Sequence, residues 1–110
     1  MQFFETKFLG AATEFIAGFD RKTAKKVFYN IDIAEQTNDP KLFKKLKSDI
    51  WEFRTLYTKT QVRLLAFWDK TDEKETLVIA THGFLKKTDK IPQKEIDRAI
   101  NSREEYFRNK

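Results

Sequence analysis

Arg54 and Arg63 sit inside two successive stretches of alternating polarity, an awkward place for a charge. A guanidinium on a strand must reach solvent, pair with a carboxylate such as Glu52, or face an anionic ligand. Farther along, "VIATHGFLKKTDKIP" (residues 78–92) sets the chain's only histidine, His82, beside Gly83, Phe84, Lys86, Lys87 and Lys90. An imidazole titrates near neutrality and is the one ready-made proton shuttle here. Gly83 permits a close backbone approach or positive φ. An aromatic in a polar loop is suited to stacking on an unpaired base. Cations for phosphate, Phe84 for a base and His82 for a proton are the parts of a ribonuclease site. Plainer readings stand beside this one. The arginines can belong to an exposed sheet face with cross-strand charge pairing. Lys41, Lys44, Lys45 and Lys47 can form a solvated face, and the 86–90 lysines an ordinary loop at a strand end.

Other chemistries lack their parts. With no Cys and one His, the ordinary zinc sites have no ligand set, and disulfide and thiolate chemistry are excluded. The three glycines are scattered, so no phosphate loop is formed. A Ser-His-Asp triad would need Ser48 or Ser102, and neither lies on a tight turn. No metal or cofactor is expected. The formal charge of +5 makes a polyanion the first partner to consider.

These side chains need elements to hold them. Phe8, Leu9, Ala12, Phe15, Ile16 and Phe19 recur at helical spacing. After Asp20, a candidate cap, Ala24, Val27, Phe28, Ile31 and Ala34 mark a second helix, which ends by Pro40. The short connection implies a helical hairpin. Past the lysine-rich 41–49 segment the period becomes two. Trp51, Phe53 and Tyr57 alternate with Glu52, Arg54 and Leu56, and Val62, Leu64, Ala66 and Trp68 with Arg63, Leu65 and Phe67. Leu77 and Ile79 then alternate with Val78, Ala80 and His82. Polar turns at 58–61 and 69–75 make this an antiparallel three-stranded meander, to which an edge strand at residues 2–5 would add a fourth. Pro92 suits the first position of a final helix with Ile96, Ala99, Ile100, Arg103, Tyr106 and Phe107 on one face. The expectation is an α+β fold: two N-terminal helices, an antiparallel sheet and a C-terminal helix in a single domain, 1–110. The apolar start is interrupted by Glu5, Lys7 and Glu14, so it reads as folded protein rather than a signal peptide. No apolar run approaches the roughly 20 residues that span a bilayer. A cytoplasmic location is expected.

Three segments carry a resemblance to the RelE/ParE toxin superfamily, and within it to the HigB-like branch with its phage-associated members. "LFKKLKSDIWEFR" (42–54) resembles the segment in which lysines lead into a Trp-Glu-Leu/Phe-Arg strand. "QVRLLAFW" (61–68) is similar to the second-strand pattern, although Val62 stands where the family usually has Tyr and the preceding glycine is missing. "LVIATHGFLKKTDKIPQKEIDRAINSREEYF" (77–107) resembles the family's His-Gly-Phe-x-Lys-Lys loop and final helix. The resemblance implies the toxin of a type II toxin–antitoxin module, a metal-independent endoribonuclease that cuts mRNA in the ribosomal A site. Arg54, Arg63, His82, Lys86 and Lys87 would then be catalytic, and Lys45, Lys47, Phe84 and Lys90 would hold RNA. The implied partners are the ribosome, mRNA and a HigA-like helix-turn-helix antitoxin, with no membrane. The alternatives are a ParE-like gyrase-binding toxin and a catalytically silent RNA- or protein-binding relative.

Overall fold

The computed structural model describes residues 2–71 and 76–110. The elements run β1 (Glu5–Phe8), α1 (Gly10–Ala17), α2 (Arg21–Thr37), β2 (Phe43–Lys45), β3 (Trp51–Tyr57), β4 (Thr60–Asp69), β5 (Leu77–Leu85) and α3 (Gln93–Arg108). The strands form one sheet in the order β1-β5-β4-β3-β2. The α+β class holds, but the sheet is larger than the expected meander and is mixed. The edge strand falls at Glu5–Phe8, not 2–5, and joins β5 in parallel. A further strand, β2, forms inside the lysine-rich segment and pairs with β3. Both are short edge strands whose exposed lysines hide their pattern.

The sheet has two covered faces. Val62, Leu64, Ala66, Val78 and Ala80 point toward α1 and α2, meeting Ala12, Ile16, Val27, Ile31 and Ala34. Leu65, Phe67 and Ile79 point the other way, under Ile96 and Ala99 of α3. The alternation of β4 thus carries through as the sequence implies, with core on both sides. Phe4, Phe43, Phe53, Trp51 and Trp68 extend the first core in a chain of aromatic contacts.

Local signals hold in position more than in detail. Asp20 occupies the N-cap of α2, yet its side chain makes no capping hydrogen bond. The helix ends with Asn38 left-handed at φ 53°, before Pro40. Pro92 is one residue ahead of its expected place, at the N-cap of α3. The β3–β4 hairpin turns on Thr58 and Lys59, both at positive φ (47° and 66°). Most of the second expected turn, residues 69–75, lies outside the described residues. At the far end of α3, Tyr106 donates to Asp69 (2.7 Å), and Lys110 pairs with the same buried carboxylate. Burial pushes Asp69 upward, but Lys110, Tyr106 and Thr71 outweigh it and hold the carboxyl well below its usual range. Burial and that carboxylate push the Tyr106 phenol up to about 12.

Candidate functional site

The arginines meet where β3 and β4 approach their hairpin. Arg54 and Arg63 are cross-strand partners, so their side chains leave the same face of the sheet. Two like charges in that register repel, and Glu52, two residues earlier on the same face, lies between them. Its Oε1 is 3.5 Å from Arg54 Nε and its Oε2 3.6 Å from Arg63 Nε. Neither approach is a full hydrogen bond, and Glu52 Oε2 and both Nε atoms are buried without hydrogen-bond partners among the described residues. Arg63 is only 3% exposed. Its other nitrogens donate to the Val62 carbonyl (3.1 Å) and Gln61 Oε1 (2.9 Å). Burial, with Arg54 adding to it, pulls the Arg63 guanidinium below its ordinary value against the opposing pull of Glu52. A solvated sheet face with exposed charge pairs does not describe this arrangement.

Both arginines line a cleft of about 560 Å³ that wraps the edge of β3 past the end of β2. Lys26 and Asn30 of α2, Lys41, and Gln61 contribute to its wall, and among the described residues no carboxylate does. Asn30 is fixed there by a bond to Thr55 (3.2 Å). Lys26, Asn30 and Gln61 carried no signal in the sequence, because only the packing of α2 on β3 brings them beside the arginines.

The His-Gly-Phe segment is not the turn that its sequence suggests. β5 continues through it to Leu85. Thr81 forms a bulge, since Leu65 pairs with His82 while Ala66 pairs with Ala80. The extra residue slips the alternation, so His82 leaves the side of Val78 and Ala80 and faces α3. There it is 1% exposed, with Nδ1 2.9 Å from Thr81 Oγ1 and Nε2 3.0 Å from Glu95 Oε1. A neutral ring donates from Nε2 to Glu95, and its Nδ1 meets the Thr81 hydroxyl, whose single proton is shared between Nδ1 and the Leu65 carbonyl (3.3 Å). Burial lowers the His82 pKa and Arg98 lowers it further, while Glu95 raises it, and the net shift is downward. Gly83 has no positive φ; it permits a close approach instead, since a Cβ there would lie 2.2 Å from the Phe15 ring. Phe84 is not a loop residue. It pairs with Arg63, is half-buried and packs against the α3-side core.

The lysine loop starts beside the arginines, where the Lys86 N–H donates to the Gln61 carbonyl (2.8 Å). Lys87 and Lys90 are exposed beyond it. Lys45 and Lys47 are not gathered with this group. Lys45 pairs with Trp51 at the other end of β3, where it meets Asp49 at 3.7 Å, and Lys47 lies in the turn before Ile50. The structure therefore assembles Arg54, Arg63, Phe84 and the start of the lysine loop, with His82 beneath α3 and the two earlier lysines elsewhere. Among the described residues no group of His, Asp and Glu is placed to hold a metal ion.

A five-stranded mixed sheet between two helical layers, with a cation-lined cleft at one end, defines a small α+β protein suited to binding an anion. Residues 14–104 match the family described as Phage derived protein Gp49-like (DUF891), and the chain belongs to that family. The family is associated with RelE-like toxin modules. No curated protein matches the chain. No helix among the described residues is long and apolar enough to cross a membrane.

Proposed function

We propose that this protein is a HigB-like toxin of a type II toxin–antitoxin module, cutting mRNA on the ribosome. The observation that carries the reading is the Arg54–Arg63 cross-strand pair at a cleft whose lining, among the described residues, has four cations and no carboxylate. The RNA 2′-OH attacks the adjacent phosphorus and gives its proton to water, the P–O5′ bond breaks, and the leaving 5′-oxygen takes a proton from water, so that a 2′,3′-cyclic phosphate and a 5′-OH result. Arg54 and Arg63 stabilise the charge that grows on the phosphorane oxygens, assisted by Lys86 and Lys87. A preorganised donor of this kind is worth about 3–4 kcal/mol. Phe84, adjacent to Arg63, bounds the site, and Lys90 grips backbone phosphate without sequence preference. Lys45 and Lys47 contact nucleic acid from a separate position. His82, sealed between Thr81 and Glu95, acts as a positioning residue that ties the first turn of α3 to the strand that carries Phe84 and leads into Lys86. A HigA-like antitoxin silences the protein by covering the basic cleft with acidic side chains.

Primer extension on a defined mRNA in a reconstituted translation reaction tests this. New 5′ ends at A-site codons, present only with ribosomes, are expected. Arg63→Ala lowers the cleavage rate about 100- to 1000-fold, while His82→Gln stays within about tenfold of wild type because no proton passes through the ring. Intact mRNA with folded protein overturns the proposal and makes gyrase binding, as in ParE-like toxins, the next assay.

A further inference from the structure

At the opposite end of the sheet from the arginine cleft, a second cleft of about 420 Å³ contains Trp51 and Trp68. The two indoles meet edge to face, with centroids 5.7 Å apart at 79°. Trp51 is also stacked on buried Phe43 (4.9 Å, 22°), so the aromatic wall is held rigidly from behind. Lys45, Lys70 and Arg103 line the same cleft. Lys70 lies over the Trp68 ring at 5.3 Å, and Arg103 over Phe107 at 5.5 Å. Among the described residues the one carboxylate in the lining is Asp49, which meets Lys45 in a pair exposed on both sides and therefore weak. The Trp68 indole N–H makes no hydrogen bond among the described residues. The site is three residues along β3 from Arg54, roughly 10 Å, and shares no lining residue with the arginine cleft.

We infer that this cleft is a second nucleic-acid site, which takes one nucleotide of a single-stranded RNA with its base against the tryptophans. Lys45, Lys70 and Arg103 hold the flanking phosphates. Aromatic walls with interleaved cations recognise any base through its π-face and any phosphate through its charge, without reading sequence. An acidic peptide would use the same cations but gives no account of the aromatic wall. The inference is independent of cleavage, since nothing in it requires the Arg54–Arg63 site to turn over.

The chain has two tryptophans, and both line this cleft, so intrinsic fluorescence reports on it alone. The full-length protein is titrated with an oligoadenylate hexamer, with anisotropy of a labelled hexamer read in parallel. Saturable quenching is expected, weakened about tenfold or more by Lys70→Glu with Arg103→Glu. An abasic hexamer, which tests stacking in the unaltered protein, binds by anisotropy with little quenching. Four results would overturn the site: no binding of the hexamer, binding without quenching, quenching equal for the abasic strand, or quenching produced by a Glu-rich hexapeptide and not by the oligonucleotide.

Discussion

Gly83 and His82 are neighbours in sequence and serve opposite faces of the sheet. Adding a Cβ at Gly83 drives it into the Phe15 ring and to 2.8 Å from Leu64 Cδ2. Gly83→Ala is therefore expected to cost about 1–3 kcal/mol by overpacking. Denaturant unfolding checks this, and shortening Phe15 to Leu in the same chain should recover part of the loss; an undamaged single variant would mean that the ring swings away freely. His82 has a second consequence. Its native pKa lies below 6.5, because burial and Arg98 outweigh the carboxylate of Glu95. Between the two values the unfolded chain binds a proton that the native protein does not. Its contribution to stability is thus fully present above pH about 6.5 and is lost as pH falls toward the native value. Thermal midpoints from pH 8 to pH 5 should fall more steeply for wild type than for His82→Gln, and parallel curves would contradict the assignment.

The β3–β4 hairpin positions both arginines, and its turn is built from unfavourable residues. Thr58 and Lys59 both take left-handed backbone, which a type I′ turn demands and which Asn-Gly adopts far more readily. Replacing Thr58 with Asn and Lys59 with Gly should raise stability by about 1 kcal/mol without moving the Arg54–Arg63 register. The shift is read from the urea midpoint at constant slope. A destabilised variant would show that the native side chains make compensating contacts. The β5 bulge is the other decisive element, since removing its extra residue would return His82 to the side of Ala80 and break its contact with Glu95.

Across the whole molecule, cations gather at both ends of the sheet, in the arginine cleft with its lysine loop and around the paired tryptophans. Such a surface binds RNA largely by releasing counterions, so affinity falls with salt. Each lysine removed from contact should reduce the logarithmic salt slope by about 0.7 for a single strand. Lys86→Ala and Lys87→Ala are expected to act on affinity in this way, measured by anisotropy between 50 and 200 mM salt (about a 4-fold range). An unchanged slope would place both lysines away from the bound strand.

Much of the architecture was legible in residue periods. The three longer strands, the three helices and the two-sided core of β4 all follow from where apolar side chains recur, because burial imposes that spacing on any chain that folds this way. Arg54, Arg63 and the lysine loop were visible as misplaced or clustered charges, and Glu52 as the nearest carboxylate. Tertiary structure alone decided the remainder. The short edge strands gain their hydrogen bonds from distant partners, so three or four residues carry too little pattern to reveal them. A single bulge at Thr81 reversed the face of His82 and set its ring under α3 against Glu95, because strand alternation has no memory across an inserted residue. The same long-range pairing seated Lys26, Asn30 and Gln61 beside the arginines and sent Lys45 to the tryptophans, since which residues share a cleft depends on register and packing rather than on their neighbours in the chain.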